Sequence, residues 1–350
     1  MTLRGAIIGV GNVALHGHVP GWLSRGDVEI VAATDVEPAR QRDAAAKLPQ
    51  ARWYESSEKL LAAETLDFVD ICTPPATHAS LITRALERGL HVLCEKPLVV
   101  SPTELASVSR LAAVTNRALY TVHNWHHAPI IQRTSALLRD GIVGRVQRVV
   151  WQTLRTEPSA IARGEETNWR VDPALAGGGI LTDHGWHVFY VLGRFIGQWP
   201  TAVSCSLERR GKTPLRVEDT ATVRMTFRDA TAEMLLTWAS TMRKNWAEVT
   251  GTDGTLRLED DTIVARHGGR EERWSCPPSL SAGSTHPDWF HAVAVRFLAA
   301  VTGHAPAAGN LGEASLCVTL ESLARESSRR GEATLPLPAP WSTGVAWAPA

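Results

Sequence analysis

The chain has 350 residues and balanced charge, with 36 basic residues against 36 acidic ones. This length fits two domains, each large enough to bury a core without a disulfide or a structural metal. A formal net charge of zero argues against a phosphate-backbone partner, because such partners require a positively charged surface. We therefore expect no nucleic acid among its partners.

The sequence also predicts a cytoplasmic location. The first apolar run, Ala6–Ile8, lies almost at the start and lacks the basic, apolar and small-residue regions of a secretory signal. No apolar run reaches membrane-spanning length, so we expect no membrane contact. The five cysteines are odd in number and far apart, which favours reduced, buried side chains of a cytosolic protein.

The first 122 residues alternate short apolar runs with helical segments, as in a parallel sheet covered by crossover helices. The predicted strands are Gly5–Gly9, Glu29–Thr34, Phe68–Cys72, His91–Cys94 and Ala118–Val122. The predicted helices between them are Pro38–Lys47, Thr77–Arg88 and Pro102–Val114. We therefore expect residues 1–122 to form a doubly wound α/β domain.

A glycine-rich turn follows the first predicted strand. Gly9-Val-Gly11-Asn12-Val13-Ala14 fits G-x-G-x-x-[GA], in which glycines let the backbone approach a pyrophosphate at a helix N-terminus. Asp35 ends the next apolar run, where a carboxylate would bond the adenosine ribose hydroxyls. The pattern predicts a dinucleotide site, although a plain glycine turn with a solvated aspartate would look similar.

The acid at position 35 favours NAD as the cofactor. Its charge would repel the 2'-phosphate of NADP, whereas NADP sites usually carry a basic residue there. NADP stays open, because Arg40 and Arg42 lie near the same loop.

From His123 onward the pattern changes. A predicted helix, Pro129–Asp140, precedes segments that alternate with period two, which favours an antiparallel sheet with one packed face. These segments are Arg148–Thr153, Ala202–Glu208, Thr220–Phe227, Ala232–Ser240, Ala247–Thr252 and Thr255–Leu258. Helices Trp289–Val301 and Gly312–Arg329 follow, and residues 123–350 are expected to form a second, α+β domain.

Two segments carry candidate catalytic groups. Lys96, in Glu95-Lys96-Pro97, follows a predicted strand and would project at the carboxyl edge of the sheet, where open α/β sheets bind ligands. Gly177-Gly-Gly-Ile-Leu-Thr-Asp183-His-Gly-Trp-His187 places Asp183 and His187 four residues apart, so on a helix the carboxylate could orient the imidazole. An imidazole that titrates near pH 6.5 suits proton transfer. Taken singly, a solvated lysine or a core histidine is the simpler interpretation.

Together these segments resemble the Gfo/Idh/MocA family, named for glucose-fructose oxidoreductase, inositol dehydrogenase and rhizopine catabolism. The resemblance covers nearly the whole chain and is carried by the glycine turn, Thr73-Pro-Pro-Ala-Thr-His78, Gly89-Leu-His-Val-Leu-Cys-Glu-Lys96-Pro97-Leu98, the triple-glycine segment, Gly251-Thr-Asp-Gly-Thr-Leu256 and Ser327-Ser-Arg-Arg-Gly331. It implies a Rossmann domain followed by an α+β domain with an open, mainly antiparallel sheet. It also implies a homodimer or homotetramer, since that sheet often forms oligomer contacts.

The resemblance further implies that Lys96, Asp183 and His187 are the catalytic residues. It implies additional cofactor-side positions at Thr73, Pro74, His78, Glu95 and Pro97. We hypothesise that His187 takes the proton from a substrate hydroxyl while hydride leaves the same carbon for the cofactor. Lys96 would stabilise the developing alkoxide.

The chain departs from the family pattern after the last Rossmann strand. Many relatives carry an Asn-Arg-Arg-Phe-type segment, whereas this chain has Val122-His-Asn-Trp-His-His-Ala-Pro129. The missing arginine predicts a differently shaped substrate site, with candidate contacts at Asn124, Trp125, His126, Trp169, Arg170, Asp183 and His184. The clustered histidines raise a metal site as an alternative, but the resemblance implies catalysis without a metal.

The leading prediction is an NAD(P)-dependent oxidoreductase that transfers hydride between nicotinamide and a secondary hydroxyl or ketone of a sugar, nucleotide sugar or cyclitol. Three alternatives stay open. They are a redox-assisted hydrolase or epimerase that recycles a tightly bound cofactor, a non-catalytic dinucleotide sensor, and an enzyme that reduces a non-carbohydrate carbonyl or imine.

Overall fold

The computed structural model describes residues 2–159, 168–212 and 214–338, which form two compact units. The first unit contains residues 2–124, 168–169 and 283–314. The second contains residues 125–159, 170–212, 214–282 and 315–338. The domain division after residue 122 stays a prediction.

Fifteen strands lie in the described residues. They are β1 (Leu3–Ile8), β2 (Val28–Thr34), β3 (Arg52–Tyr54), β4 (Phe68–Ile71), β5 (His91–Cys94), β6 (Leu119–Thr121), β7 (Val146–Leu154), β8 (Ala202–Glu208), β9 (Thr220–Thr226), β10 (Thr231–Thr237), β11 (Lys244–Gly251), β12 (Gly254–Glu259), β13 (Thr262–His267), β14 (Arg270–Ser275) and β15 (Leu335–Pro336).

The same residues contain ten α-helices. They are α1 (Val19–Leu23), α2 (Arg40–Lys47), α3 (Ser57–Ala63), α4 (His78–Glu87), α5 (Pro102–Thr115), α6 (Pro129–Arg139), α7 (Pro173–Ala176), α8 (Trp186–Ile196), α9 (Pro287–Val301) and α10 (Ala308–Arg329). Two π-helical segments, Ala14–His18 and Leu181–Gly185, precede α1 and α8. None of the helices in the described part of the chain is both long and apolar enough to cross a bilayer.

A six-stranded parallel sheet forms the core of the first unit. The strand order is β3-β2-β1-β4-β5-β6, and every neighbouring pair is parallel. This is the Rossmann order, in which ligands bind at the carboxyl ends of the strands where the order reverses, here between β1 and β4. The prediction of a doubly wound parallel sheet is confirmed.

Local sequence explains how the helices of this unit begin and end. Before α5, the Ser101 hydroxyl accepts a hydrogen bond from the Glu104 amide, and Pro102 occupies the first turn. Asn116 ends the helix in the left-handed region at φ 52°. These signals are local, so the sequence predicts such helices to within one or two residues.

Helix α9 packs on the first unit although it follows the second sheet in the chain. Its Phe297 contacts Phe68 with ring centroids 5.5 Å apart, and its Phe290 lies 5.4 Å from Trp22. Both phenylalanines are almost completely buried. Burying rings of this size contributes a few kcal/mol each, about 2 to 3, which accounts for the return of the chain to this core.

The second unit is built on a nine-stranded sheet with the order β14-β13-β12-β11-β7-β10-β9-β8-β15. Among the described strands of this second sheet, only the β7–β10 pair is parallel. The predicted mainly antiparallel sheet is therefore confirmed. The cysteines are placed as expected for buried thiols, since Cys94, Cys205, Cys276 and Cys317 are buried and Cys72 is half-buried.

Candidate active site

The two glycines of the turn after β1 have different roles. Gly9 has φ +92°, and a Cβ built there would lie 2.8 Å from the Thr73 amide nitrogen. At Gly11, by contrast, no described atom beyond its two chain neighbours lies within 4 Å of the built Cβ. Gly9 is therefore required by the fold itself. Gly11 leaves free space beside the turn, in the position where a pyrophosphate would approach the backbone.

Asp35 lies directly after β2 and beside this turn. Its carboxylate accepts hydrogen bonds from the Val10 amide at 2.6 Å and from the Glu37 amide at 2.9 Å. Arg40, considered above as a phosphate ligand, is buried and lies 3.6 Å from the Asp43 carboxylate. The turn and the held carboxylate thus fit a dinucleotide with an unmodified ribose. Of the other two predicted positions here, Asn12 is exposed and Val13 is half-buried.

His78 connects two loops at the carboxyl ends of the strands. It begins α4 and has no exposed surface. Its Nδ1 lies 2.8 Å from the Pro97 carbonyl oxygen and its Nε2 lies 2.8 Å from the Thr73 carbonyl oxygen. Burial lowers the pKa of His78. The ring therefore ties the Thr73-Pro74 loop to the Lys96-Pro97 loop, and contact between His78 and nicotinamide stays a prediction.

Lys96 follows β5, is half-buried and precedes a cis peptide bond to Pro97. Its backbone amide donates to Glu95 Oε2 at 3.0 Å. The other oxygen of that carboxylate, Oε1, lies 3.0 Å from His18 Nε2. On the far side of the ring, His18 Nδ1 lies 2.9 Å from Asp70 Oδ2 in β4.

Sequence reasoning did not single out His18 or Asp70. The available signal was Asp70 itself, because a carboxylate within the buried run Phe68–Ile71 requires a partner. Burial lowers the pKa of His18, but the charges and hydrogen bonds of Asp70 and Cys72 together outweigh burial and hold that pKa well above its usual value. Burial raises the pKa of Glu95, yet the hydrogen bond from His18 and the nearby charges bring it below its usual value. The His18 ring therefore lies between two carboxylates, an arrangement that favours its protonated form.

The triple glycine of the second unit is explained by close packing. A Cβ on Gly178 would lie 1.7 Å from Arg325 Nη2, and a Cβ on Gly179 would lie 1.9 Å from the Glu218 carbonyl oxygen. Arg325 donates to both carboxylate oxygens of Glu218, at 2.9 and 3.2 Å, and to the Thr182 hydroxyl at 2.7 Å. Glycine is thus needed where this segment passes the ion pair.

Asp183 and His187 lie on either side of a change in helix type. Leu181–Gly185 is π-helical and α8 begins at Trp186, so the predicted four-residue α-helical spacing does not describe the segment. The Asp183 carboxylate lies 3.1 Å from His184 Nδ1, whereas His187 Nδ1 lies 2.9 Å from the Tyr190 hydroxyl. Orientation of His187 by Asp183 stays a prediction. Tyr190 is a partner that sequence reasoning missed.

Trp125 and His126 surround the His187–Tyr190 pair. The Trp125 ring stacks on His187 with centroids 4.7 Å apart, and its amide donates to the Tyr190 hydroxyl at 3.2 Å. The His126 ring lies 4.4 Å from Tyr190, and its Nδ1 lies 3.1 Å from Arg194. Both rings are less than 10% exposed. The segment that departs from the family pattern therefore packs around His187, and direct contact with substrate stays a prediction.

The remaining predicted positions lie in short helical turns. Asn124 begins the 3-10 turn Asn124–His127, and Trp169 and Arg170 begin the 3-10 turn Trp169–Val171; all three are half-buried. Arg155, which follows β7, was not predicted. It is buried and donates to the Leu154 and Lys244 carbonyls. Burial lowers the pKa of Arg155 to about 10, an effect that the charge of Asp183 opposes.

Comparison with known proteins identifies both halves of the chain. Residues 3–123 match the family model described as an oxidoreductase family with an NAD-binding Rossmann fold, and residues 131–257 match the GFO/IDH/MocA C-terminal domain. The chain is 29% identical over 298 residues to D-apiose dehydrogenase of Paraburkholderia graminis, covering 80% of this chain and 74% of that protein. It is 31% identical over 199 residues to D-glucoside 3-dehydrogenase of Escherichia coli, covering 55% and 54%.

A solved structure supports the fold over the whole chain. GenD2 from gentamicin A biosynthesis, in complex with NAD, matches with a TM-score of 0.82 at 23% identity and covers 97% of each chain. At that identity the likeness shows the fold alone. The two family matches and the two sheets together show that the chain belongs to the Gfo/Idh/MocA family of NAD-binding oxidoreductases.

Proposed function

We propose that the protein is an NAD-dependent dehydrogenase that converts a secondary hydroxyl of a sugar, nucleotide sugar or cyclitol to a ketone, or catalyses the reverse reaction. The observation that carries the proposal is the environment of His187, whose ring is buried in the second unit and lies within hydrogen-bond distance of the Tyr190 hydroxyl. In the first unit, Lys96 follows the end of β5. Two relatives named as sugar dehydrogenases support the substrate class.

The first unit holds the cofactor in this proposal. The space at Gly11 takes the pyrophosphate, and Asp35 bonds the ribose hydroxyls and repels a 2'-phosphate. Thr73, Pro74 and Pro97 line the approach from the neighbouring loops. When bound, NAD supplies the hydride acceptor. The residues of the chain supply binding, orientation and proton transfer.

His187 accepts the proton of the substrate hydroxyl. The Tyr190 oxygen accepts a hydrogen bond from the Trp125 amide and can also accept one from His187 Nδ1–H. In that tautomer the lone pair of the imidazole lies on Nε2, which we assign as the proton acceptor. Asp183 and its neighbour His184 bind substrate hydroxyls, and the Lys96 ammonium stabilises the alkoxide that develops as hydride leaves.

Lys96→Ala and His187→Ala test the assignment. Each variant should lower turnover by ~10²-fold or more, the scale of lost acid–base catalysis, while NAD binding is retained. Lys212→Ala and His304→Ala are matched controls, because both side chains are exposed. A screen of polyols, sugars, cyclitols and nucleotide sugars with NAD, followed by reduced-nicotinamide absorbance, supplies the assay. Unchanged turnover in both site variants would overturn the mechanism.

The same screen separates a dehydrogenase from an enzyme that recycles its cofactor. Net accumulation of reduced nicotinamide indicates a dehydrogenase, whereas product without accumulation indicates a recycled cofactor, and a sensor shows neither.

We also propose a homodimer or homotetramer in the cytoplasm, on the basis of family membership. Light scattering of the purified chain tests the oligomeric state, and a monomer would contradict it.

A further inference from the structure

A buried ionic triad in the first unit has no part in the hydride transfer described above. It consists of Asp70, His18 and Glu95, and both ring nitrogens of His18 face a carboxylate oxygen at 2.9 to 3.1 Å. A neutral imidazole carries a single N–H and can donate to only one of these partners. The imidazolium donates to both, so the charged ring satisfies the buried Asp70 and the half-buried Glu95 at once.

The surroundings fix the triad in one geometry. The Trp22 indole donates to Asp70 Oδ2 at 2.7 Å, and the Phe290 ring of α9 stacks on His18 with centroids 3.8 Å apart. The other titratable group that faces the ring is Cys72, whose Sγ lies 3.2 Å from Nδ1. Burial raises the pKa of that thiol strongly, so it stays protonated. The His18 ring, bonded to Asp70 and stacked on Phe290, is therefore a fixed support for Glu95.

Glu95 transmits this support to Lys96. One carboxylate oxygen bonds His18 and the other accepts the Lys96 amide at 3.0 Å. The Glu95 carboxylate also interacts with the charge of Lys96. Without the imidazolium, Glu95 would lose a charge-assisted hydrogen bond, while its interaction with the charge of Lys96 would remain. The ammonium would then be drawn toward Glu95 and away from a developing alkoxide.

We propose that His18 is a positioning residue which, through Glu95, fixes the backbone and the ammonium group of Lys96. This proposal rests on the function assigned to Lys96 above. His18 itself does not touch substrate. Its effect on the reaction should therefore fall on kcat, while the dissociation constant of NAD changes little.

The chain allows a test that needs no substrate. It contains only five lysines, at positions 47, 59, 96, 212 and 244. Reductive methylation with carbon-13 formaldehyde therefore gives few NMR signals, and Lys96→Arg assigns the one from Lys96. We expect this signal to shift in His18→Gln and in Glu95→Gln, and to stay in place in His304→Gln, an exposed control in the same unit.

The double variant shows whether His18 acts through Glu95. If His18 acts on Lys96 only through Glu95, the double variant His18→Gln/Glu95→Gln should move the Lys96 signal no further than Glu95→Gln alone. An unmoved signal in His18→Gln, or additive shifts in the double variant, would overturn the proposal. If His18→Gln fails to fold, nitrogen-15 NMR of the wild-type histidines decides: His18 should carry protons on both nitrogens at neutral pH, and a neutral ring would overturn it.

These readouts are independent of the enzyme assay. Failure of the wild-type protein to reduce NAD with any substrate would refute the proposed function and leave the Lys96 shifts interpretable. Normal NAD reduction with an unmoved Lys96 signal would refute only the function assigned to His18.

Discussion

Gly11→Ala should weaken NAD binding without destabilising the fold. In the part of the chain that the structure describes, nothing beyond the two neighbouring residues lies within 4 Å of the added methyl group, and Gly11 is not among the residues with positive φ. Alanine also reduces the conformational entropy of the unfolded chain, which slightly favours the folded state. The free energy of unfolding should therefore change by less than about 1 kcal/mol. In the complex, the methyl group would occupy the space assigned to the pyrophosphate. Overpacking of this kind costs roughly 1–3 kcal/mol, which corresponds to about a 5- to 150-fold increase in the dissociation constant of NAD.

Two other glycines provide matched controls. Gly26→Ala, at an exposed position where nothing lies within 4 Å, should change neither stability nor NAD binding. Gly9→Ala should destabilise the fold by about 1–3 kcal/mol, because φ is +92° and the new methyl group would lie 2.8 Å from backbone atoms.

The assay combines calorimetric titration with NAD and urea unfolding without NAD. The reasoning is refuted if Gly11→Ala binds NAD as tightly as the wild type, since the free space would then have no connection with the cofactor. It is also refuted if Gly11→Ala and Gly9→Ala lose equal stability.

Three further predictions concern the packing, the general base and the pH dependence. Gly179→Ala should lower the free energy of unfolding by about 3 kcal/mol in urea titrations, because the new methyl group would lie 1.9 Å from the Glu218 carbonyl oxygen. A variant as stable as the wild type would contradict the packing argument. Tyr190→Phe should lower kcat by about tenfold, because the hydrogen bond to His187 is lost, and should leave NAD affinity unchanged. An unchanged kcat would show that the Tyr190 hydroxyl does not orient His187. The folded-state pKa of His18 is raised, so the stabilisation by this residue is complete below the unfolded value of about 6.5 and is lost as the pH rises through the folded value. The stability difference between wild type and His18→Gln should therefore shrink as the pH rises above about 6.5. A difference that grows with pH would contradict this prediction.

The predictable part of the fold is the part encoded by local patterns. Apolar runs locate β5 at His91–Cys94 and β8 at Ala202–Glu208 as the structure has them. Strand β3 was missed, because three half-exposed or exposed residues form no apolar run. Strand β14 was missed because its sequence, Arg-Glu-Glu-Arg-Trp-Ser, is mostly exposed and has no period-two pattern.

The candidate site likewise contains residues that local sequence patterns reveal and residues that they do not. The glycine turn and the segments around Lys96 and His187 are contiguous in sequence, so the residue types and their spacing are visible at once. The partner of Asp70 is 52 positions away at His18, and no local pattern pairs them. The close packing of Gly178 and Gly179 likewise involves Arg325 and Glu218, which lie far along the chain.

The most direct test of the central claim is NAD reduction by the wild type, Lys96→Ala and His187→Ala on the best substrate of the screen. We predict that the wild type reduces NAD with at least one sugar, nucleotide sugar or cyclitol. We predict that both variants bind NAD normally and turn over ~10²-fold more slowly. Wild-type turnover in both variants would contradict the claim that these side chains carry the reaction.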